Sequence, residues 1–187
     1  YEHLVYDGTK HHSIASFPEM KDRTVTVNGF SKAFAMTGWR LGYMIADRQI
    51  VKRAKVIHEH SVTAPSTFAQ KAAAFAMQDE RSWKFVKEMN NQYERRRDIV
   101  MENLAKIEGV SCVKPRGAFY AFPNISSVGK SSVAMSELLL EKARVATIPG
   151  IGFGKRGEGH VRLTFTNPEH ELREALSRIK DTIDSLQ

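Results

Sequence analysis

The chain is organised around one stretch, which reads Asn28-Gly29-Phe30-Ser31-Lys32-Ala33-Phe34-Ala35-Met36-Thr37-Gly38-Trp39-Arg40-Leu41-Gly42-Tyr43. A β-prone run, Thr24-Val25-Thr26-Val27, precedes it, and another, Tyr43-Met44-Ile45-Ala46, follows. β-Branched and aromatic residues are typical of strands, and glycines mark the turns between them. The pattern predicts two short strands joined by a loop, with Asn28 as a turn residue.

The loop carries two cations, Lys32 and Arg40. Lys32 stands among apolar residues, and a lysine in such surroundings gives up its proton more readily. The neutral amine that results is the nucleophile that Schiff-base chemistry needs. Arg40 offers a planar fork of donors that suits a phosphate group. The loop therefore pairs a candidate nucleophile with a candidate phosphate ligand.

The composition is that of an ordinary globular protein. Its 187 residues are 42% hydrophobic and 26% charged, which is enough for one domain with a good core. The net charge of +7 comes from 28 basic and 21 acidic residues, and a basic balance can indicate nucleic-acid binding. The densest basic cluster, Arg95-Arg96-Arg97, has acidic neighbours, so we expect a solvated helix face and no nucleic-acid partner.

Signals for membranes and metals are absent from the pattern. The apolar runs are too short to span a bilayer, so we expect no membrane partner. The single cysteine, Cys112, is expected to lie in a buried strand, and it fits a reducing cytoplasm as the location. His3, His11 and His12 lack the spacing on a rigid element that metal ligation needs, so we expect no metal site.

Helical periodicity predicts a long helix from about 82 to 107, long enough to connect two domains. A shorter helix is predicted over 49–58, where apolar residues also recur at helical spacing. After Gly109 short strands alternate with helices, as in an α+β layer. Asn167 as N-cap and Pro168 as the first helical residue predict the start of the last helix.

The run from Gly29 to Gly42 resembles the lysine signature of the class I/II aminotransferases, which use pyridoxal 5′-phosphate (PLP) on the fold-type-I scaffold. Three further blocks resemble this family and occur in family order, and they lie at Lys114 to Pro123, Ala146 to Gly154 and Val161 to Phe165. The resemblance covers nearly the whole chain. It implies an α/β fold of the PLP-dependent transferase type and an enzyme of amino-acid metabolism.

The resemblance also implies a domain organisation. Residues 1–88 would form the end of the large PLP-binding domain and its sheet, and 89–187 the small α+β carboxyl-terminal domain, joined by the helix at about 82–107. The chain is then a carboxyl-terminal fragment, which we expect to be inactive alone. Family members are generally homodimers, so a homodimer is implied for the parent protein, with the Ser61 to Thr67 loop as a candidate contributor.

By family position, Lys32 is the Schiff-base lysine and the proton shuttle. Ser31 and Arg40 are implied to hold the cofactor phosphate. Tyr1 matches the tyrosine whose phenol donates to the cofactor 3′-oxygen. The acid that should stand before Tyr1 is not part of this sequence, so an ordinary strand aromatic remains the alternative for Tyr1.

Arg162 lies in a strand-like run in which alternation places Arg162 and Thr164 on one face and apolar residues on the other. A strand arginine that faces a cleft is suited to bidentate carboxylate binding. The resemblance implies that Arg162 holds the substrate α-carboxylate, and a structural ion pair is the alternative. The run Gly152 to Gly157 fits G-x-G-x-x-G, but a strand follows it where a dinucleotide site needs a helix.

The resemblance implies transfer of an amino group between an L-amino acid and a 2-oxo acid, which would be the two substrates. Another fold-type-I PLP reaction, that of a β-lyase or a synthase, would use the same lysine and arginines. A third alternative is a non-catalytic fragment that only binds a partner. The sequence leaves the side-chain specificity of the substrate open.

Overall fold

The structure, a computed structural model, describes residues 1–186. The chain divides into two compact units, of which the first is Tyr1–Asn90 and the second begins at Asn91. Within residues 1–186, no helix has the length and apolar character of a membrane span. The same residues contain no group of three or more side chains that are arranged to ligate a metal.

A two-stranded antiparallel sheet carries the central stretch in the first unit. Strand β1 is Thr26–Gly29 and strand β2 is Gly42–Ile45. The register pairs Asn28 with Tyr43, so both strands meet at the base of the predicted loop. Residues 1–6, which include Tyr1, form no strand, since residues 2–3 lie in a turn and only residue 5 forms a bridge.

Two helices follow the sheet. Helix α1, Arg48–Val62, begins at Asp47, whose carboxylate accepts from Gln49 N at 2.8 Å. None of the residues of α1 is buried, and its side chains at helical spacing, such as Ile57 at 69% exposure, face outward. Helix α2, Thr67–Gln78, buries only small alanines. The spacing in α1 thus predicted a helix but did not reveal which face, if any, is covered.

The long helix α3 is Glu80–Leu104, and the boundary between the two units falls within it. Asp79 caps its start, because Arg81 N donates to Asp79 Oδ1 at 2.8 Å. The helix ends earlier than the predicted residue 107. Ile107 is 3% exposed and continues the apolar periodicity, but it lies in the turn that follows the helix.

The second unit contains a three-stranded antiparallel sheet. Strands β3 (Tyr120–Ala121), β4 (Ile148–Pro149) and β5 (Val161–Thr164) lie in the order β3-β5-β4. The strand expected around Cys112 is wrong, because only an isolated bridge joins Ser111 to Asn124. Cys112 is half-buried rather than buried, and burial raises the pKa of its thiol.

Two helices cover this sheet. Helix α4, Ser132–Leu138, continues as a π-helical turn over Leu139–Ala143. Helix α5, Glu169–Asp184, buries a stripe that consists of Leu172, Leu176, Ile179 and Ile183. The predicted N-cap is wrong by one residue, since Pro168 occupies that position. Asn167 instead donates from Nδ2 to Glu171 Oε2 at 2.9 Å.

Arg97 contradicts the prediction of a solvated basic face. Its side chain is 1% exposed. Its Nη2 lies 2.9 Å from Asp98 Oδ1, and its Nη1 donates to Pro115 O at 3.1 Å. A buried guanidinium needs such partners, because an unpaired charge in the interior is strongly unfavourable. The basic cluster therefore includes a structural residue that ties α3 to the segment before β3.

Candidate active site

Backbone hydrogen bonds close the loop that carries Lys32. Phe30 N donates to Leu41 O at 3.2 Å, and Met36 N donates to Phe30 O at 3.4 Å. Within the loop, Ala35 N donates to Lys32 O at 3.2 Å. Lys32 is thereby held half-buried on a turn between β1 and β2.

A small hydrophobic cluster supports this loop from below. Phe30, Met36, Leu41 and Ala73 are buried together, and Phe34 and Tyr43 pack against them. The ring centroid of Phe30 lies 5.6 Å from that of Phe34 and 5.6 Å from that of Tyr43. Aromatic pairs at this separation contribute packing beyond the area that they bury. The loop therefore rests on a defined surface of the first unit.

Two residues of the loop adopt a left-handed backbone although neither is glycine. Ala35 and Arg40 both have φ of 52°. A non-glycine residue costs about 1–2 kcal/mol in this region, and active sites are among the places where such strain occurs. At the base of the loop Gly42 is required, because a Cβ there would lie 2.7 Å from Asn28 O.

The predicted phosphate ligands lie on the same loop as Lys32. Ser31 and Lys32 are half-buried, and Arg40 is exposed. Arg40 Nη1 donates to Thr37 O at 3.1 Å, which uses one of the five donors of its guanidinium. One loop thus brings together a hydroxyl, an amine and a guanidinium.

Asn28 connects this loop to the segment that carries Tyr1. Its Nδ2 donates to Glu2 Oε1 at 2.7 Å and to Tyr43 Oη at 3.2 Å, and its Oδ1 accepts from Gly29 N at 2.8 Å. The sequence indicated only a turn residue here. The hydrogen bond to Glu2 joins residues far apart in the chain, and no local sequence pattern predicts it.

Tyr1 lies at the edge of a cavity of about 210 Å³ in the first unit. The side chain of Tyr1 is 45% exposed. Glu2 and Asn28 form the polar side of this cavity, and Phe34 and Trp83 contribute to its aromatic side. The rings of Phe34 and Trp83 meet edge to face at 5.2 Å.

Arg162 lies on β5 in the second unit, and its guanidinium lies close to two aromatic rings. Its Cζ is 4.6 Å from the ring centroid of Tyr120 and 4.9 Å from that of Phe153. The predicted alternation is confirmed, since Val161 and Leu163 are buried while Arg162 is half-buried. Within residues 1–186 the guanidinium of Arg162 makes no hydrogen bond and no ion pair. The sequence did not reveal that two aromatic rings lie close to it.

A glycine loop between β4 and β5 presents Phe153. It consists of two short 3₁₀ turns, Gly150–Phe153 and Lys155–Gly157, and it leads into β5 without an intervening helix. A Cβ on Gly150 would lie 2.0 Å from Gly157 O, and a Cβ on Gly157 would lie 2.0 Å from Gly150 O. The two backbones can approach this closely only because both residues are glycine.

Ser132, the first residue of α4, fastens the same loop. Its N–H and its hydroxyl donate to the two carboxylate oxygens of Glu158 at 2.7 and 2.8 Å, and its Oγ accepts from Ile151 N at 3.3 Å. The hydrogen bonds from Ser132, first of all from its backbone N–H, lower the pKa of Glu158. The loop that positions Phe153 is therefore tied to a buried residue of the second unit.

The model of the family "aminotransferase class I and II" matches residues 1–179 of the chain. The chain belongs to this family. An aspartate aminotransferase of Pyrococcus abyssi is 49% identical over 183 residues, which are 98% of this chain and 47% of that protein. Aromatic-amino-acid aminotransferase 2 of Thermococcus litoralis is 48% identical over 98% of this chain and 47% of its own length.

A solved structure of an aromatic aminotransferase from Pyrococcus horikoshii OT3 superposes on this chain with a TM-score of 0.96 at 49% identity. The superposition covers 99% of this chain and 49% of the chain in that solved structure. The predicted fold type is thereby confirmed. The chain spans about half the length of the relatives that it matches.

Aminotransferases of this family depend on PLP, as the sequence predicted. The donor set of the Lys32 loop fits that cofactor. Lys32 offers a primary amine for the aldehyde, and Ser31 and Arg40 offer a hydroxyl and a guanidinium for the phosphate. Each of these groups is of the type that its proposed partner requires.

Proposed function

We propose that the chain is the carboxyl-terminal half of a PLP-dependent aminotransferase that transfers an amino group between an L-amino acid and a 2-oxo acid. The observation that carries this proposal is the strained loop on which Ser31, Lys32 and Arg40 lie together. The relatives named aspartate and aromatic aminotransferases, at 49% and 48% identity, support it.

In this proposal each site residue of the chain has a separate role. Lys32 is the Schiff-base lysine, Ser31 and Arg40 bind the phosphate, and the phenol of Tyr1 donates to the 3′-oxygen. When bound, PLP supplies an electron sink for the bond that breaks at the substrate α-carbon. Lys32 Nζ would accept the proton from the substrate α-carbon as a general base and, as a general acid, would deliver it to a different carbon, C4′ of the cofactor.

Arg162 binds the α-carboxylate of the substrate in this proposal. Its guanidinium makes no hydrogen bond or ion pair in the described part of the chain, which leaves its donors available. A carboxylate can take two of them side by side, which fixes the orientation of the amino acid as well as its position. This geometry favours carboxylate binding over the structural ion pair that the sequence left open.

We also propose a division of the chain between two domains, and a homodimeric state and a cellular location for the full-length protein. Residues 1–88 would belong to the large PLP-binding domain and 89–187 to the small domain. A homodimer is supported by α1, whose apolar side chains are exposed. The single cysteine supports a cytoplasmic location.

A reductive trap tests the proposal. The chain, and the full-length protein that contains it, are incubated with PLP and treated with borohydride, and the labelled peptide is identified by mass spectrometry. We expect one label at Lys32. Lys32→Arg should abolish it, because the guanidinium is not a free amine, and Lys21→Arg should leave it in place.

The two samples separate the alternatives. A label in the full-length protein but not in the chain would mean that the chain alone is a non-catalytic piece. Labels scattered over several lysines of the full-length protein, unaffected by Lys32→Arg, would overturn the assignment of Lys32. Amino-acid and 2-oxo-acid products, followed by chromatography, distinguish transamination from a lyase or synthase reaction.

A further inference from the structure

The guanidinium of Arg162 lies over two aromatic rings. The centroids of the Tyr120 and Phe153 rings lie 4.6 and 4.9 Å from its Cζ. Both distances are within the range in which a cation is attracted to the face of an aromatic ring. Since the five N–H donors of a guanidinium point outward in its plane, its contacts with aromatic ring faces leave these donors available to a ligand.

The two rings come from supports that are fixed independently. Tyr120 lies on β3, which pairs directly with β5 through Tyr120 and Thr164. Phe153 lies on the glycine loop that Ser132 and the close contact of Gly150 with Gly157 hold in place. The backbone that carries each ring is therefore held by contacts that do not involve the guanidinium of Arg162.

Further aromatic contacts support Phe153. The ring of Phe122 meets that of Phe153 edge to face at 5.8 Å, and Phe122 in turn stacks on His160 at 4.9 Å with planes 12° apart. Phe153 is nevertheless 54% exposed. An exposed ring that is buttressed in this way and placed on a cation has a definite orientation at the rim of the site.

We propose that Tyr120 and Phe153 are positioning residues that hold the guanidinium plane of Arg162, so that it receives a substrate carboxylate edge-on through two parallel hydrogen bonds. This inference rests on the proposed function, in which Arg162 binds the α-carboxylate. The rings restrict the rotamers of a long side chain before the ligand arrives, and that pre-organisation lowers the entropic cost of binding. The rings also displace water from beside the guanidinium, which strengthens its attraction for an anion.

Binding of an unreactive carboxylate to the full-length holoenzyme tests this proposal. The probe is 3-phenylpropionate, its uncharged control is 3-phenylpropanamide, and affinity is measured by calorimetry. Phe153→Leu keeps an apolar side chain but removes the ring, and we expect it to weaken carboxylate binding by roughly three- to tenfold. Binding of the amide should stay unchanged. Tyr120→Leu should act in the same direction.

Conservative variants and steady-state kinetics give a second readout. Tyr120→Phe and Phe153→Trp keep a ring and should restore carboxylate affinity. The variants without a ring should raise KM for the amino acid and leave kcat nearly unchanged, because the contact is present in both ground state and transition state. Phe68→Leu, which removes an exposed ring of α2, is the matched control and should change neither value.

The outcomes distinguish this proposal from the one on which it rests. If Arg162→Gln abolishes carboxylate binding while Phe153→Leu and Tyr120→Leu leave it at the wild-type level, the positioning role is wrong and Arg162 keeps its assignment. Equal losses for the carboxylate and the amide would also overturn the positioning role. If Arg162→Gln leaves carboxylate affinity unchanged, the assignment of Arg162 fails, and the positioning role fails with it.

Discussion

The two units support their candidate site residues in different ways. Lys32 lies on a loop above a small cluster, in a unit whose α1 has no buried residue. Arg162 lies on the central strand of a sheet, with Val161 and Phe165 at 2% and 0% exposure on the side opposite to it. The first unit holds its lysine on a hydrogen-bonded loop over a small cluster, and the second holds its arginine on a strand whose opposite side is buried.

The difference extends to the residues that shape each loop. The Lys32 loop places Ala35 and Arg40 in the left-handed region, where side chains are unfavourable. The loop of Phe153 uses glycines at its points of close approach. In the first unit, a substitution within the Lys32 loop should therefore change both stability and site geometry. In the second unit, residues throughout the core should contribute to both.

Phe165→Ala should have the largest effect on the stability of the chain. Phe165 is 0% exposed, and truncating a buried phenylalanine costs about 3–5 kcal/mol of the free energy of unfolding. Phe68→Ala in the first unit removes a ring that is 75% exposed and should stay within about 0.5 kcal/mol. Urea unfolding followed by circular dichroism measures both. A large loss for Phe68→Ala would break the comparison, because it would mean that α2 is covered in solution.

Gly150→Ala should have the next largest effect. The new Cβ would lie 2.0 Å from Gly157 O and 2.5 Å from His160 O, and overpacking of this kind costs about 1–3 kcal/mol or more. Gly152→Ala in the same loop is the matched control, since its Cβ meets nothing within 4 Å. Thermal unfolding of the two variants compares them. Equal melting temperatures would show that the glycine contact does not hold the loop.

Ala35→Gly should stabilise the chain, because it relieves the left-handed strain in the Lys32 loop. The gain should be about 1 kcal/mol or less, since glycine also adds freedom to the unfolded chain. Ala74→Gly, the same substitution on the exposed side of α2, should instead lower the free energy of unfolding by about 1 kcal/mol. Changes of the same sign in urea unfolding would argue against strain at Ala35.

The pH dependence of stability should show the smallest effect. The side-chain hydrogen bond from Arg81 lowers the pKa of Asp79 from 3.8 to about 2. A carboxylate with a lowered folded-state pKa stabilises the chain above its unfolded value of 3.8 and loses this contribution as pH falls through about 2. Asp79→Asn should weaken the pH dependence of the urea midpoint over this interval, and Arg81→Ala should weaken it too. An unchanged pH profile in both variants would exclude this ion pair as a source of stability.

The sequence predicted what depends on local patterns. Turn glycines and β-prone runs located β1, β2 and the loop of Lys32, and alternation assigned the inward and outward faces of β5 around Arg162. The family resemblance then supplied the fold type and the cofactor. These features depend on residues close together in the chain, so their spacing carries the information.

The rest depends on contacts between distant residues. Glu2 binds Asn28, Arg97 binds the carbonyl of Pro115, and Phe153 packs on Arg162, and none of these pairs follows a short-range rule. Short strands were overestimated near Cys112 because β-branched residues also occur in extended segments without a partner strand. The apolar spacing of α1 indicated a helix, but periodicity alone does not show what packs against the apolar face of that helix.

The contact between Gly150 and Gly157 has a consequence for how this sequence can vary. Each residue is restricted by the main chain of the other, so a substitution at one position has no compensating substitution at its partner. A library of random variants selected for folding should therefore retain glycine at both positions. Phe153, between them, is free to change its side chain without disturbing the backbone. The loop thus combines a backbone that Gly150 and Gly157 keep constant with one position, Phe153, at which substitutions can change the surroundings of Arg162.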